Sequence, residues 1–314
     1  AWESVKRHFR NLGKDIQTQN FSVLGIGDMS GDVFGNGMLL SPCIQLIAAF
    51  NHQSIFIDPA PNVASSFDER QRLFALPRSS WNDYNKSLIS PGGGIYSRSL
   101  KKVPLSPQIK AMVGTGQDFV TPDELINLLL KMPVELLWNG GIGTYIKAST
   151  ETNEQVKDKF NDAFRIDGKD LKARVVGEGG NLGFTQLGRI EYARKGGRLY
   201  TDSIDNSAGV DCSDHEVNVK LMLSRTVLQG KMALPERNQL LASMTDDVAK
   251  LCIQDNYDQT QIIDMIQLQA TELMHEHNRF MRHLENQKIL NRKLEFLPTE
   301  EVVIDRIAHN QGLY

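Results

Sequence analysis

Residues 21–37 read FSVLGIGDMSGDVFGNG, an apolar run that meets Gly25-Ile26-Gly27 and then a glycine-punctuated helix start. A strand entering a tight turn and then a helix is where an α/β protein holds a pyrophosphate. Gly25 permits the turn, and Gly27 lets the backbone approach a phosphate with no Cβ in the way. The helix behind offers free N–H groups and the positive end of its dipole. Ser30 stands at the third position of the fingerprint instead of Gly or Ala, so this copy is degenerate.

Downstream, the apolar stretch Val33–Phe50 is long enough for a crossover helix kinked at Pro42. Ser54-Ile55-Phe56-Ile57-Asp58 then gives a short buried-strand pattern ending in a carboxylate. The second strand of a dinucleotide fold ends in an acid that accepts hydrogen bonds from the adenosine ribose, which makes Asp58 the candidate. The competing reading has Asp58 capping the Pro59-Ala60-Pro61 turn. No Arg or Lys follows in PAPNVASS to receive a 2′-phosphate, so NAD is favoured over NADP.

Composition narrows the classes. The 314 residues are 40% hydrophobic with a formal charge of −3, enough for two modest domains and without a basic stripe. Nucleic acid and membrane surfaces are not expected partners. No apolar stretch approaches the roughly 18 residues of a membrane span. Cys43, Cys212 and Cys252 are odd in number and not in metal spacing, which reads as free thiols in a reducing cytoplasm. The start at Ala1-Trp2-Glu3 lacks a Met and a signal-peptide pattern and reads as an excised segment.

The first two-thirds alternates helix and strand patterns. A helix is expected over residues 2–12, and Thr121-Pro122-Asp123-Glu124 is a strong helix start. Strand-like runs at 134–138, 173–176 and 198–201 each end in polar or glycine residues, and those ends should face a ligand. Ser90-Pro91-Gly92-Gly93-Gly94 lacks a P-loop ending and reads as a turn. From about residue 221 the pattern is helical: one face at 240–251, a long helix over 257–281, a third start at Leu297-Pro298-Thr299-Glu300. His275, His277 and His283 do not converge on one helix face, so no metal site is expected. The organisation is therefore α/β: a Rossmann-like NAD-binding domain over 1–220 and an all-helical region over 221–314.

Four longer motifs carry a family resemblance: GIGDMSGDVFGNGMLLS (25–41), LLWNGGIGTY (136–145), GEGGNLGFTQ (177–186) and DNSAGVDCSDHEVNVK (205–220). In this order they resemble the coenzyme domain of the large bacterial NAD-specific glutamate dehydrogenases, densely to about residue 220 and more loosely beyond. The resemblance implies NAD as cofactor, L-glutamate and 2-oxoglutarate as substrates of the parent enzyme, and a homo-oligomer in the full-length protein. It makes Gly25, Gly27 and Ser30 the pyrophosphate turn and Asp58 the ribose acid. It puts Asn181 and Asn206 on the nicotinamide ribose and carboxamide, and Ser213 on the substrate's distal carboxylate. Loop-turn chemistry remains the alternative for both asparagines, and a helix N-cap for Ser213.

Two departures stand out. Asp28 lies inside the phosphate turn, so it must point away, bond the local N–H groups or be offset by a cation. The substrate lysine and proton-shuttling carboxylate, which the family carries in a preceding domain, are not found, so the catalytic residues stay unknown. The alternatives are another amino-acid dehydrogenase or a non-catalytic dinucleotide-sensing module.

Overall fold

Helix α1 (Trp2–Asn11) leads into strand β1 (Phe21–Ile26), and the glycine turn delivers the chain to α2 (Asp32–Gly37) in the computed structural model, which describes residues 1–312. The helix stops there. Ile44–Phe50 is strand β2, parallel to β1. The crossover helix expected over 33–50 is thus corrected in its second half. Pro42 cannot continue a helix, and the run behind it is buried on both sides of the sheet, where a continuous apolar strand belongs.

A tight turn at Asn51–Ser54 sends β3 (Ser54–Ile57) back antiparallel to β2. After α3 (Val63–Ala75), β4 (Gly94–Ser97) pairs antiparallel with β3. The short pair β5 (Val103–Pro104) and β6 (Phe119–Val120) flanks α4 (Pro107–Val113). Helix α5 (Pro122–Leu130) opens with the expected cap: Thr121 Oγ1 accepts from Glu124 N while the Glu124 carboxylate accepts from Thr121 N. Strand β7 (Leu136–Asn139) then lies parallel to β1, on the side away from β2.

The short strands β8 (Ile146–Lys147) and β9 (Ile166–Asp167) enclose α6 (Asn153–Val156). Strand β10 (Val175–Glu178) completes the sheet, parallel to β7, and α7 (Gln186–Ala193) follows. The run 198–201 is not a strand: Arg198 makes a single bridge to Val175 before α8 (Asp202–Asp205) begins.

The strand order β10-β7-β1-β2-β3-β4 is a Rossmann-like α/β sheet with four parallel strands and two antiparallel ones at one edge. Apolar side chains of α1, α2 and α3 cover one face; those of α4, α5 and α7 cover the other. Only helices follow β10 among the described residues: α7, α8, α9 (Ala208–Leu228), α10 (Leu234–Ser243), α11 (Thr245–Leu268), α12 (Met274–Asn286) and α13 (Glu300–Ala308). Helix α9 runs unbroken across residue 220, and residues 313–314 of the expected helical region lie outside the described residues. The helix expected over 257–281 is two helices, interrupted at Gln269–Leu273, and the face expected over 240–251 is divided at Met244. No helix among the described residues is long and apolar enough to cross a membrane.

Helix α11 lies along α1 through polar pairs: Ser4 Oγ donates to Asn256 Oδ1 at 3.2 Å, Arg7 Nε to Thr260 Oγ1 at 3.0 Å, and Asn11 Nδ2 to Asp264 Oδ2 at 2.8 Å. The Arg7 guanidinium also sits 4.7 Å from the centroid of the Tyr257 ring.

Candidate functional site

Where β1 hands over to β2 on one side and to β7 on the other, the strand order changes direction, and a crevice opens at the carboxyl ends. It is a cleft of about 1110 Å³ lined by Ile26 and the following Gly27 and Asp28 at the end of β1, Phe50 and the following Asn51 at the end of β2, and Gly140–Gly143 just after β7. That volume suits a ligand larger than a typical drug-sized molecule. Ile142 and Phe160 stand at its wall with side chains almost wholly exposed, 98% and 93%. Tyr145, also in the wall, donates from its phenol to Ile142 O at 2.8 Å; burial pushes that phenol up to about 12, so it stays a donor.

The glycine turn is built around Phe34 of α2. A Cβ on Gly25 would stand only 2.4 Å from Phe34 Cε2, and one on Gly27, at φ 139°, would stand 2.8 Å from the Phe34 Cβ. These glycines bring α2 against the strand, which is their structural role whatever sits in the cleft. Trp81 Nε1 fixes the turn further by donating to Gly27 O at 2.9 Å. Of the three fingerprint residues only Gly27 lines the cleft; Gly25 is buried and Ser30 lies beside it.

Asp28 resolves one question the sequence raised. Its Oδ1 accepts from Ser30 N at 3.1 Å, Ser30 Oγ at 2.7 Å and Gly31 N at 3.1 Å, and its Oδ2 from Asn51 Nδ2 at 2.7 Å. The carboxylate bonds the local N–H groups that a bound phosphate would otherwise take.

Asp58 is not at the site. Because β3 runs antiparallel to β2, its carboxyl end points away from the cleft: Ile57 is opposite Ala48, and Asp58 N donates to Ile47 O, halfway back along β2. The Asp58 side chain is fully buried and accepts from Ser90 N at 3.1 Å and from Ser90 Oγ. The 90–94 loop is thus its partner, and the ribose assignment is corrected. The residue at the end of the second parallel strand is Asn51, which the sequence reading passed over. Its signal was there: an Asn closing an apolar run and starting a two-residue turn, with Oδ1 accepting from Gln53 N and Ser54 N.

Asn181 and Asn206, from the loop after β10 and the end of α8, do meet: Asn206 Nδ2 donates to Asn181 Oδ1. They lie outside the lining of the cleft but next to its β7 wall, since Gly180 N donates to Asn139 O at 2.9 Å. Arg189 of α7 organises this corner. It pairs with Glu178 at the end of β10 and reaches Asp202 at 3.1 Å, and Asp202 Oδ2 accepts from Leu182 N at 2.8 Å. Burial pushes the Glu178 carboxyl up to about 7 against the opposing pull of Arg189. Ser213 is no N-cap: it lies exposed inside α9, whose N-cap is Ser207.

A family model described as bacterial NAD-glutamate dehydrogenase, catalytic domain, matches residues 1–266. The NAD-specific glutamate dehydrogenases of Halomonas elongata and Pseudomonas aeruginosa are each 56% identical over 313 residues, covering 100% of this chain and 19% of theirs. That of Mycobacterium tuberculosis is 52% identical over 319 residues, covering 100% of this chain and 20% of its own. The chain therefore spans about a fifth of the length of these curated relatives. A hetero-hexameric glutamate dehydrogenase from Thermus thermophilus, solved in a Leu-bound form, aligns at 12% identity and TM-score 0.40 over 100% of this chain and 52% of that one. With the family match running from residue 1 to residue 266, the chain belongs to the bacterial NAD-glutamate dehydrogenases and carries sequence of their catalytic domain.

Proposed function

We propose that this chain is the coenzyme-holding part of an NAD-dependent glutamate dehydrogenase, acting on L-glutamate and 2-oxoglutarate in a cytoplasmic homo-oligomer. The carrying observation is the large cleft at the strand-order reversal, open along the carboxyl ends of β1, β2 and β7. NAD is the favoured cofactor because the relatives bear NAD-specific names. Bound there, it supplies the hydride acceptor for oxidation of the amino acid.

The chain's own work is to hold and orient. Gly27 and the Gly140–Gly143 loop form the narrow floor between β1 and β7. Ile142 and Phe160 offer apolar surface to a flat ring. Asn181 and Asn206, after bonding each other, retain both donor and acceptor capacity, which suits the nicotinamide carboxamide and its ribose. Ser213 faces outward from α9, where it is available to the substrate's distal carboxylate. The coenzyme unit is assigned to residues 1–220 and the helical region to the remainder.

Calorimetric titration of the chain with NAD and with ADP-ribose tests this reading. Saturable binding of both supports it; no binding of either overturns it.

A further inference from the structure

The β1–β2 end of the cleft holds a carboxylate whose geometry goes beyond the general coenzyme assignment. Asp28 Oδ1 is saturated by three donors from Ser30 and Gly31. Its Oδ2 has one donor, Asn51 Nδ2 at 2.7 Å. Asn51 cannot turn away, because its Oδ1 accepts from Gln53 N at 2.8 Å and Ser54 N at 2.7 Å. The ladder sets Ile26 opposite Phe50, so Asp28 and Asn51 emerge side by side from adjoining strand ends, and both line the cleft.

What remains free is one acceptor position on a charged oxygen beside one spare amide hydrogen. That is the complement of a vicinal diol, in which one hydroxyl donates and its neighbour accepts. Arg98, also in the cleft wall, has its charge paired with Asp123, Nη2 donating to Asp123 Oδ1 at 3.1 Å, while Nη1 donates to Asn51 O at 3.3 Å. A phosphate ester on the diol would meet the Asp28 charge with that guanidinium already paired.

We propose that Asp28, held in place by Asn51, reads the hydroxyls of the adenosine ribose and rejects a 2′-phosphate. This rests on the coenzyme reading above and gives Asp28 the part the sequence had offered to Asp58. The discriminating carboxylate then sits in the β1 turn, with an amide in place of an acid at the end of the second strand.

The test is calorimetric titration of the whole chain with NAD, NADP and nicotinamide 2′-deoxyadenine dinucleotide. NAD is expected to bind at least about tenfold more tightly than either of the others. Asp28→Asn is expected to bring all three within about threefold of one another. The wild-type comparison with the deoxy analogue needs no variant to fold. If wild type binds NAD and the deoxy analogue equally, or a folded Asp28→Asn keeps the tenfold preference, the assignment of Asp28 is overturned while the coenzyme reading stands. If wild type binds no NAD, both fall.

Discussion

Arg189 donates from Nε and Nη2 to the two carboxylate oxygens of Glu178, both at 2.8 Å, and both side chains are buried. The pair joins α7 to the end of β10, and through Asp202 it holds the loop carrying Asn181. Removing one partner of such a pair leaves the other charge uncompensated in the interior. Arg189→Met should therefore destabilise the fold by about 3–5 kcal/mol, and Arg189→Met combined with Glu178→Leu by clearly less. Urea unfolding of the single and double variants checks this; a single variant as stable as wild type would rule out the brace.

Asn181 and Asn206 should each lower NADH affinity by about 1 kcal/mol when changed to Ala. Because they bond one another, the double variant should lose less than the sum of the two single losses. ADP-ribose separates their parts, since a residue on the carboxamide matters only for NADH and one on the ribose matters for both ligands. Full additivity, measured by titration, would mean that they act independently.

Asp58→Ala should leave the ratio of NAD to NADP affinity unchanged, because Asp58 lies back along β2, outside the lining of the cleft. It should cost about 1–3 kcal/mol of stability through the orphaned Ser90 N–H and the void left behind. A shifted ratio in a folded variant would return Asp58 to the site.

His8 gives the fold a pH dependence. Burial, with Arg198 and Arg7 nearby and Asp264 opposing them, holds its imidazole down at about 4, against 6.5 when free. The folded state therefore resists a proton that the unfolded chain takes up below about pH 6.5. This contribution is fully present above pH 6.5 and is lost progressively as the pH falls toward 4. Wild type should lose about 2 kcal/mol more than His8→Phe between pH 7.5 and pH 5. Phe can keep the stacking on Tyr200, whose ring centroid lies 4.2 Å from that of His8. Parallel stability curves for the two proteins would show that His8 titrates normally.

The purified chain should show no glutamate-dependent NADH production above background, because the family resemblance implies that the substrate lysine and the proton-shuttling acid belong to a preceding domain. Activity of a preparation free of host enzyme would place the acid–base pair within these residues.

The β1 turn was legible because strand, glycines and helix start are contiguous in sequence and each has its own residue preference. The strands around it were less so. Ile44–Phe50 has no polar alternation to separate a strand buried on both faces from a buried helix, and only Pro42 hinted at the break. Missing β2 displaced the strand count by one and moved the expected ribose residue from Asn51 to Asp58. The turn between β2 and β3 contains His52 and Gln53, which carry none of the glycine signal of a tight hairpin. Arg189 and Glu178 belong to different elements, and nothing in the intervening sequence announces that they meet. The resemblance put Asn181 and Asn206 on one ligand from two separate motifs, but that they bond one another was not legible in the sequence.

The polar ladder between α1 and α11 bears on how the chain is made. Ser4 and its partner Asn256 are 252 residues apart in sequence, and Arg7 and Thr260 are 253 apart. A ribosome adding about 5–20 residues per second needs roughly 12–50 seconds to supply the second member of each pair. Throughout that interval α1 can lay its apolar side against the growing sheet, but its polar side has only water for company. Helix α1 is thus completed only long after it is made. During synthesis its hydrated edge is open to holding factors and proteases until α11 arrives to close it.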